Sequence, residues 1–304
     1  MIDRMKAFGK SMFSEKNTAK AIWKLIYTTV GYISSIFGFS QLLNKLIGFS
    51  LLEDLSKQYW VALILIGILL SLIHNHEKIH YKWKRNSDGQ LIELTVDDLF
   101  CVPAMSYVIP TNSYFHTKME GDYISSKSVQ GAFQEKYFKT DEKNKELNIM
   151  ITGNLKNRNV LSEISEDSQG NKQRCPIGTV AKIDHSNKHY YFVAINDINE
   201  HGKPINQSYS NIDKALERLV SAIEEFGHHD DLATPLIGTG RAAISGASIE
   251  KVAEDIVDKF LDPQKSVSRK LTICINPKDY IDGKVDLKKI KKYIDYKCEF
   301  SGRS

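Results

Sequence analysis

The stretch TPLIGTGRAAISG, Thr234 to Gly246, holds the residues whose types and spacing best suit chemistry. An apolar run ends at Leu236-Ile237, Gly238, Thr239 and Gly240 follow, and a helical pattern opens near Ser248. A glycine loop between the carboxyl end of a strand and the start of a helix presents unpaired backbone N–H groups. Glycine lets the chain approach an anion closely, and the helix dipole adds positive potential. The chemistry implied is the cradling of a phosphate group, at the place where open α/β sheets take nucleotides. Arg241 is the next residue and could pair with phosphate or point to solvent. The spacing is neither G-x-G-x-x-G nor a P-loop, since no Lys-Ser/Thr pair follows the glycines. A tight structural turn uses the same residue types.

Other reactive side chains are scattered. Cys101, Cys175, Cys274 and Cys298 contain no C-x-x-C, so neither a disulfide framework nor a zinc site is indicated. His74, His76 and His80 fall on different faces of a helix among basic neighbours, and no metal is expected there. With 41 Lys+Arg against 37 Asp+Glu, the 304-residue chain has a net charge of only +4. So mild a balance does not call for nucleic acid as a partner.

The elements that must position the glycine loop alternate between strand and helix. Strands are expected at Leu91–Val96, Ser106–Pro110, Asn148–Thr152, Ile177–Ile183, His189–Ala194, Leu232–Ile237 and Lys270–Ile275. Helices are expected at Val129–Phe138, Ile212–Phe226, Ser248–Leu261 and Leu287–Ile294. Residues 153–174 are polar and read as a loop. Alternation of this kind argues for α/β architecture, a mixed sheet with helices on both faces.

The first quarter of the chain differs in character. Leu25–Asn44 and Gln58–His76 carry no formal charge, and each approaches the roughly 20 residues that span a bilayer core. The first run includes Gly31, Ser35 and Gly38, small residues that let membrane helices approach closely. Arg4, Lys6, Lys10, Lys16, Lys20 and Lys24 precede the pair, and Lys78, Lys82, Lys84 and Arg85 follow it. The positive-inside rule then places both ends in the cytoplasm. The expectation is a multi-pass inner-membrane protein. Residues 1–20 form a cytoplasmic segment with Met5, Phe8 and Met12 at helical spacing, residues 21–80 form a transmembrane hairpin, and residues 86–304 form an α/β domain.

PLIGTGRAAISG resembles the second phosphate loop of macro domains, the ADP-ribose-binding modules. CPIGTVAKI (Cys175–Ile183) is similar to a strand of that family. VIPTN (Val108–Asn112) resembles the strand ending in the substrate-facing Asn, and KSVQGAF (Lys127–Phe133) the first glycine-containing loop. VDDLF (Val96–Phe100) resembles the early strand whose Asp reads the adenine amino group. The ordered set spans about residues 90–300. Joined to two N-terminal spans, it resembles the membrane effector of type II Thoeris antiphage systems.

That resemblance implies a three-layer α/β/α sandwich, a receptor for an NAD-derived ADP-ribose conjugate such as histidine-ADP-ribose, and a TIR-domain partner enzyme that makes the signal. It further implies ligand-driven homo-oligomers that disrupt a lipid membrane, with no other cofactor. Asp98 would accept from the adenine amine, with Asp97 or an N-cap role as the alternative. Asn112 would face the distal ribose. Ser128 and Gly131 would bring backbone N–H groups to the diphosphate, with Gly238, Thr239, Gly240 and Arg241 on the other side. Tyr280 or Phe115 would stack on the ligand, though either ring suits a core. Glu120, Asp122 and His116 are open choices for a head group. The hydrolytic branch of the family carries a triple glycine and a paired-Glu motif; here Gln134-Glu135 stands without the triple glycine. A reader is therefore expected rather than an enzyme, the alternative being a membrane-tethered ADP-ribosyl hydrolase.

Overall fold

Alternating apolar residues at Leu91–Val96 and an unbroken apolar run at Lys270–Ile275 pair as neighbouring parallel strands, and a sheet extends from them in both directions. The computed structural model describes all residues except 1, 12–17, 48–59, 120–122, 158–162, 165–170, 172, 200, 228, 241–247, 263, 264, 266 and 301–304. The chain divides into two compact units, Met1–Ile79 and His80–Ser304.

In the second unit the sheet runs in the order β1 (His80–Lys84), β2 (Leu91–Val96), β10 (Lys270–Ile275), β9 (Asp231–Pro235), β3 (Ser106–Asn112), β7 (Lys188–Ile198) and β6 (Val180–His185). A short β8 (Pro204–Ile205) pairs with β7, and β4 (Glu163–Ile164) with β5 (Gln173–Arg174) makes a separate ribbon. The β1–β2, β6–β7 and β7–β8 pairs are antiparallel and the central ladders are parallel, so the sheet is mixed. The β6–β7 turn is made by Ser186 and Asn187, both at positive φ, the twist a two-residue hairpin favours.

Helices cover both faces. On one lie α4 (Val129–Tyr137) and α5 (Asp141–Asn157), and α6 (Tyr209–Phe226) lies on the other. Successive residues of β7 prove the arrangement: the Tyr190 ring meets Phe133 of α4 at 4.7 Å, while Tyr191 meets Phe226 of α6 at 5.9 Å. The remaining helices are α7 (Ile249–Phe260), the short α8 (Pro277–Ile281) and α9 (Leu287–Phe300). Ser208 and Ser248 cap α6 and α7 by accepting backbone N–H groups, and Gly227 ends α6 in the left-handed conformation.

Several local expectations change, among them the loop expected at 153–174, whose first residues continue α5 to Asn157 and which holds β4 and β5. Asn148–Thr152, expected as a strand, lies within α5. Its β-branched residues favour a strand, but Leu147 and Ile151, four apart, are both fully buried against the core, so the helical period wins. The edge strand β1 escapes sequence reading because HYKWK is too polar and aromatic to show an apolar alternation; lysines of this kind protect a sheet edge.

The first unit holds α1 (Ile2–Ser11), α2 (Thr18–Ile47) and α3 (Trp60–Asn75). Small and polar groups join α2 to α3. A Cβ on Gly67 would meet Ile33 Cγ1 at 2.9 Å, Thr29 Oγ1 donates to Ser71 Oγ, and Asn75 Nδ2 donates to Thr28 Oγ1. Ser11 of α1 bonds His76 just beyond α3. The membrane expectation is overturned: among the described residues no helix is long and apolar enough to cross a membrane. The 16 described residues of α3 reach about 24 Å at ~1.5 Å per residue. The 30 residues of α2 have the length, but Thr, Ser, Gln and Lys dilute their apolar character. The transmembrane hairpin and the multi-pass inner-membrane placement of the sequence reading are corrected accordingly.

Candidate functional site

The site follows from where two strands part. β3 pairs with β7 along Ser106–Asn112 but with β9 only at Ser106 and Tyr107. Past Tyr107 the two strands diverge, and their connections leave in opposite directions, β9 through α7 to β10 and β3 through α4 and α5 toward β6 and β7. This is a topological switch point, and a crevice at the carboxyl ends of the strands is its consequence. Pro110, with no N–H to give a ladder, falls where β3 has only one partner strand. The cleft contains about 990 Å³ of space, part of it open to solvent. Thr111 and Asn112 end β3 on one wall, the turn before α4 forms a second, and Gly238–Gly240 form a third.

The α4 N-terminus faces this space. Ser128 is its N-cap: Oγ accepts from Gly131 N at 3.0 Å and donates to Ser125 O at 2.7 Å, while Ser128 N also donates to Ser125 O. The N–H groups of Ser128 and Gly131 are thus bonded within the turn. Val129 and Gln130 lie in the first turn, where N–H groups lack intrahelical acceptors, and both line the cleft. Gln130 is buried and fixed at both ends, accepting from Thr111 Oγ1 at 2.9 Å and donating to His116 O at 2.6 Å. Gly131 is required sterically, because a Cβ there would collide with the backbone of Ser125 and Ser126.

On the opposite side Gly238 has φ +75, and Thr239 Oγ1 ties back to Leu236 O at 2.8 Å. Among the described residues no atom lies within 4 Å of a prospective Cβ on Gly240, which lines the cleft. Arg241, Glu120 and Asp122 fall outside the described residues.

Asn112 is buried, and its Oδ1 accepts from Tyr114 N at 3.0 Å and His116 N at 3.4 Å. With the oxygen committed, the amide NH2 is the group it offers the cleft. Asp98 caps the short helix at Leu99–Cys101 through Oδ1, which accepts from Phe100 N at 2.9 Å. Its neighbour Asp97 donates its backbone N–H to Ile275 O, which holds this segment beside Asn276 of the cleft wall. Tyr280 and Phe115 are buried and absent from the lining; Phe115 adopts φ +51 inside the core. His116 is 2% exposed, and burial pulls its pKa down to about 4.

Sequence reasoning missed Tyr123, Asn196 and Asp279, all in the lining. Tyr123 packs on the His116 ring at 4.9 Å. Asn196 is aligned with Asn112 on the adjacent strand. Its neighbour Asp197 is held below the usual carboxylate range: burial raises it, but bonds from Arg174 at 3.0 and 2.6 Å, with Ser113 and Asn206, outweigh that. Asp279 pairs with Lys284 at 3.1 Å. A polar residue at the carboxyl end of an apolar run was the available signal for Asn196, within β7, and for Asn276, just past β10. Among the described residues no group of three His, Cys, Asp or Glu side chains is placed to hold a metal.

The family model described as Thoeris protein ThsA, Macro domain, matches residues 92–276. No curated protein matches the sequence. Among solved structures, the Oceanobacillus iheyensis macrodomain with ADP is 14% identical, covering 73% of this chain and 99% of its own, with a TM-score of 0.48. A point mutant of that macrodomain with ADPR gives 14% identity, 72% and 99% coverage and a TM-score of 0.48. The Trypanosoma brucei macrodomain in complex with ADP is 10% identical, covering 67% of this chain and 68% of its own, with a TM-score of 0.43.

Proposed function

This chain belongs to the Thoeris ThsA macro-domain family, and on that premise we propose that it is a receptor whose cleft binds an ADP-ribose-type nucleotide without hydrolysing it. The observation that carries this reading is the pairing of two donor-bearing loops across one cleft. The α4 N-terminus offers the N–H groups of Val129 and Gln130, and the glycine loop lines the cleft with Gly238 and Gly240. A diphosphate needs backbone donors and close approach from both sides. Asn112 would direct its amide NH2 at the distal ribose. Asp98, with Oδ1 spent on Phe100, would give Oδ2 to the adenine amine.

Reading rather than hydrolysis is supported by the lining. Its ionisable side chains among the described residues are Tyr123, Lys127, Cys274 and Asp279. Burial pushes the Cys274 thiol well above its ordinary value. Asp279, the one carboxylate among the described lining residues, is engaged by Lys284 rather than left free beside the cleft.

The ligand would be an ADP-ribose conjugate made from NAD by a TIR-domain partner enzyme. Its binding would drive self-association. Trp23, Tyr27 and Val30 on α2 and Val61, Leu65 and Ile73 on α3 are all exposed, an apolar surface of the kind that marks association. Calorimetry of the full chain with ADP-ribose, histidine-ADP-ribose and NAD tests the receptor, with chromatography for products and light scattering for size. One nucleotide should bind, remain intact and increase the assembly mass. A released nucleotide product would make the chain a hydrolase, and absence of binding to all three would remove the receptor reading.

A further inference from the structure

The strand that carries Asn112 meets its neighbour in a broken register. β3 and β7 run in step from Ser106 opposite His189 to Thr111 opposite Ala194, but the next residue, Asn112, lies opposite Asn196. Ile195 is the extra residue of a β-bulge. An unbroken ladder would set its apolar side chain opposite Asn112, and the bulge sets an amide there instead. Bulges beside functional sites re-aim side chains in this way. Both asparagines are buried, and both line the cleft.

The two amides are fixed in opposite senses. Asn112 Oδ1 accepts from Tyr114 N at 3.0 Å and His116 N at 3.4 Å, so turning this amide over would set its NH2 against two N–H groups. Asn196 Nδ2 donates to Asp197 O at 2.8 Å, and turning that amide over would set oxygen against oxygen. Among the described residues neither Asn112 Nδ2 nor Asn196 Oδ1 has a hydrogen-bond partner, and neither atom is sealed from solvent. The cleft thus holds a donor from one strand beside an acceptor from the next.

A donor beside an acceptor matches two neighbouring hydroxyls: one oxygen accepts from the NH2, and the other hydroxyl gives its hydrogen to the carbonyl. This inference rests on the nucleotide reading above, which directs Asn112 at the distal ribose. We propose that Asn196 is a further specificity-determining residue, whose Oδ1 accepts from the ribose hydroxyl adjacent to the one that Asn112 meets. Together the two asparagines read a free vicinal diol. A ligand without that diol leaves both amide groups unmatched in a buried setting, which is the strongest form of discrimination open to an uncharged site.

Calorimetry of the full chain with ADP-ribose, and with ADP, which ends at the diphosphate and has no distal ribose, tests the residue. Wild type should bind ADP-ribose more tightly than ADP. Asn196→Ala should weaken ADP-ribose about tenfold and leave ADP unchanged. The substitution also deletes the bond to Asp197 O, but a loosened fold would weaken both nucleotides alike. Asn196→Leu, closer in size, serves in its place if the alanine fails to fold. Equal weakening of both nucleotides, ADP-ribose binding unchanged in the variant, or equal affinity of wild type for the two would overturn the assignment while leaving the cleft a nucleotide site. Wild type that binds neither would remove the receptor reading, and this inference with it.

Discussion

A Cβ placed on Gly131 would lie 2.1 Å from the carbonyl oxygen of Ser125 and 2.8 Å from Cα of Ser126. Both obstacles are backbone, so no side-chain rotation relieves them. The helix that offers Val129 and Gln130 to the cleft is therefore seated directly on the turn preceding it. Gly131→Ala gains helix propensity of about 1 kcal/mol, yet the collision should outweigh that gain and leave a net loss of about 1–3 kcal/mol. Urea denaturation measures it, and calorimetry should show weakened ADP-ribose binding as the turn moves. Unchanged stability would mean that the turn yields freely and does not define the donor geometry.

The two glycines of the second loop should behave differently from each other. Gly238 sits at φ +75, and alanine there should cost about 1–2 kcal/mol of stability whatever the ligand does. Gly240 has no positive φ, and among the described residues nothing lies within 4 Å of its prospective Cβ. Gly240→Ala should leave the melting temperature unchanged and still weaken ADP-ribose about tenfold or more, by blocking close approach. Full-strength binding by Gly240→Ala would place the diphosphate elsewhere.

Much of this site was legible because its chemistry is local. The glycine loop, the Ser128 cap before a helix and the Asn closing β3 are each signalled by neighbours in sequence. The errors arose where tertiary contacts decide. Asn148–Thr152 has strand-forming residues, and only the burial of Leu147 and Ile151 against the sheet makes it helical. The N-terminal runs read as membrane spans by their lack of charge, but among the described residues no helix is both long and apolar enough to cross a membrane. For Tyr280 and Phe115 the sequence left stacking and core packing both open, and both rings are buried. Asp279 and Tyr123 reach the cleft through loop paths that no periodicity encodes.

His116 gives the fold a pH dependence of defined sign. Burial lowers its pKa from 6.5 to about 4 in the folded chain. The unfolded chain then binds the proton more readily, so the contribution is complete above about pH 6.5 and is lost as pH falls toward about 4. Its upper limit is about 3 kcal/mol. Denaturation at about pH 7.5 and about pH 4.5 should show wild type losing more stability than His116→Asn over that interval. The carboxylates held below their usual range, such as Asp197, remain in both proteins and cancel in the comparison. Parallel losses would show that the folded chain accepts the proton on His116 without penalty.

On the proposed nucleotide reading, Asp98 and Asp279 are the two carboxylates that could meet the adenine amine, and their bonding separates them. Asp279 lines the cleft but is committed to Lys284 at 3.1 Å. Asp98 spends Oδ1 on Phe100 N and keeps Oδ2, beside a strand end anchored by Asp97 N on Ile275 O. A serine at 98 preserves the cap and deletes the second oxygen. IDP-ribose replaces the adenine amine with a carbonyl, which a carboxylate oxygen repels. Wild type should therefore prefer ADP-ribose over IDP-ribose about tenfold or more. Asp98→Ser should flatten that preference with little loss of stability, whereas Asp279→Ala should keep it. The reverse pattern in competition calorimetry would move the adenine to Asp279 and release Asp98 to a purely structural role as the cap of Leu99–Cys101.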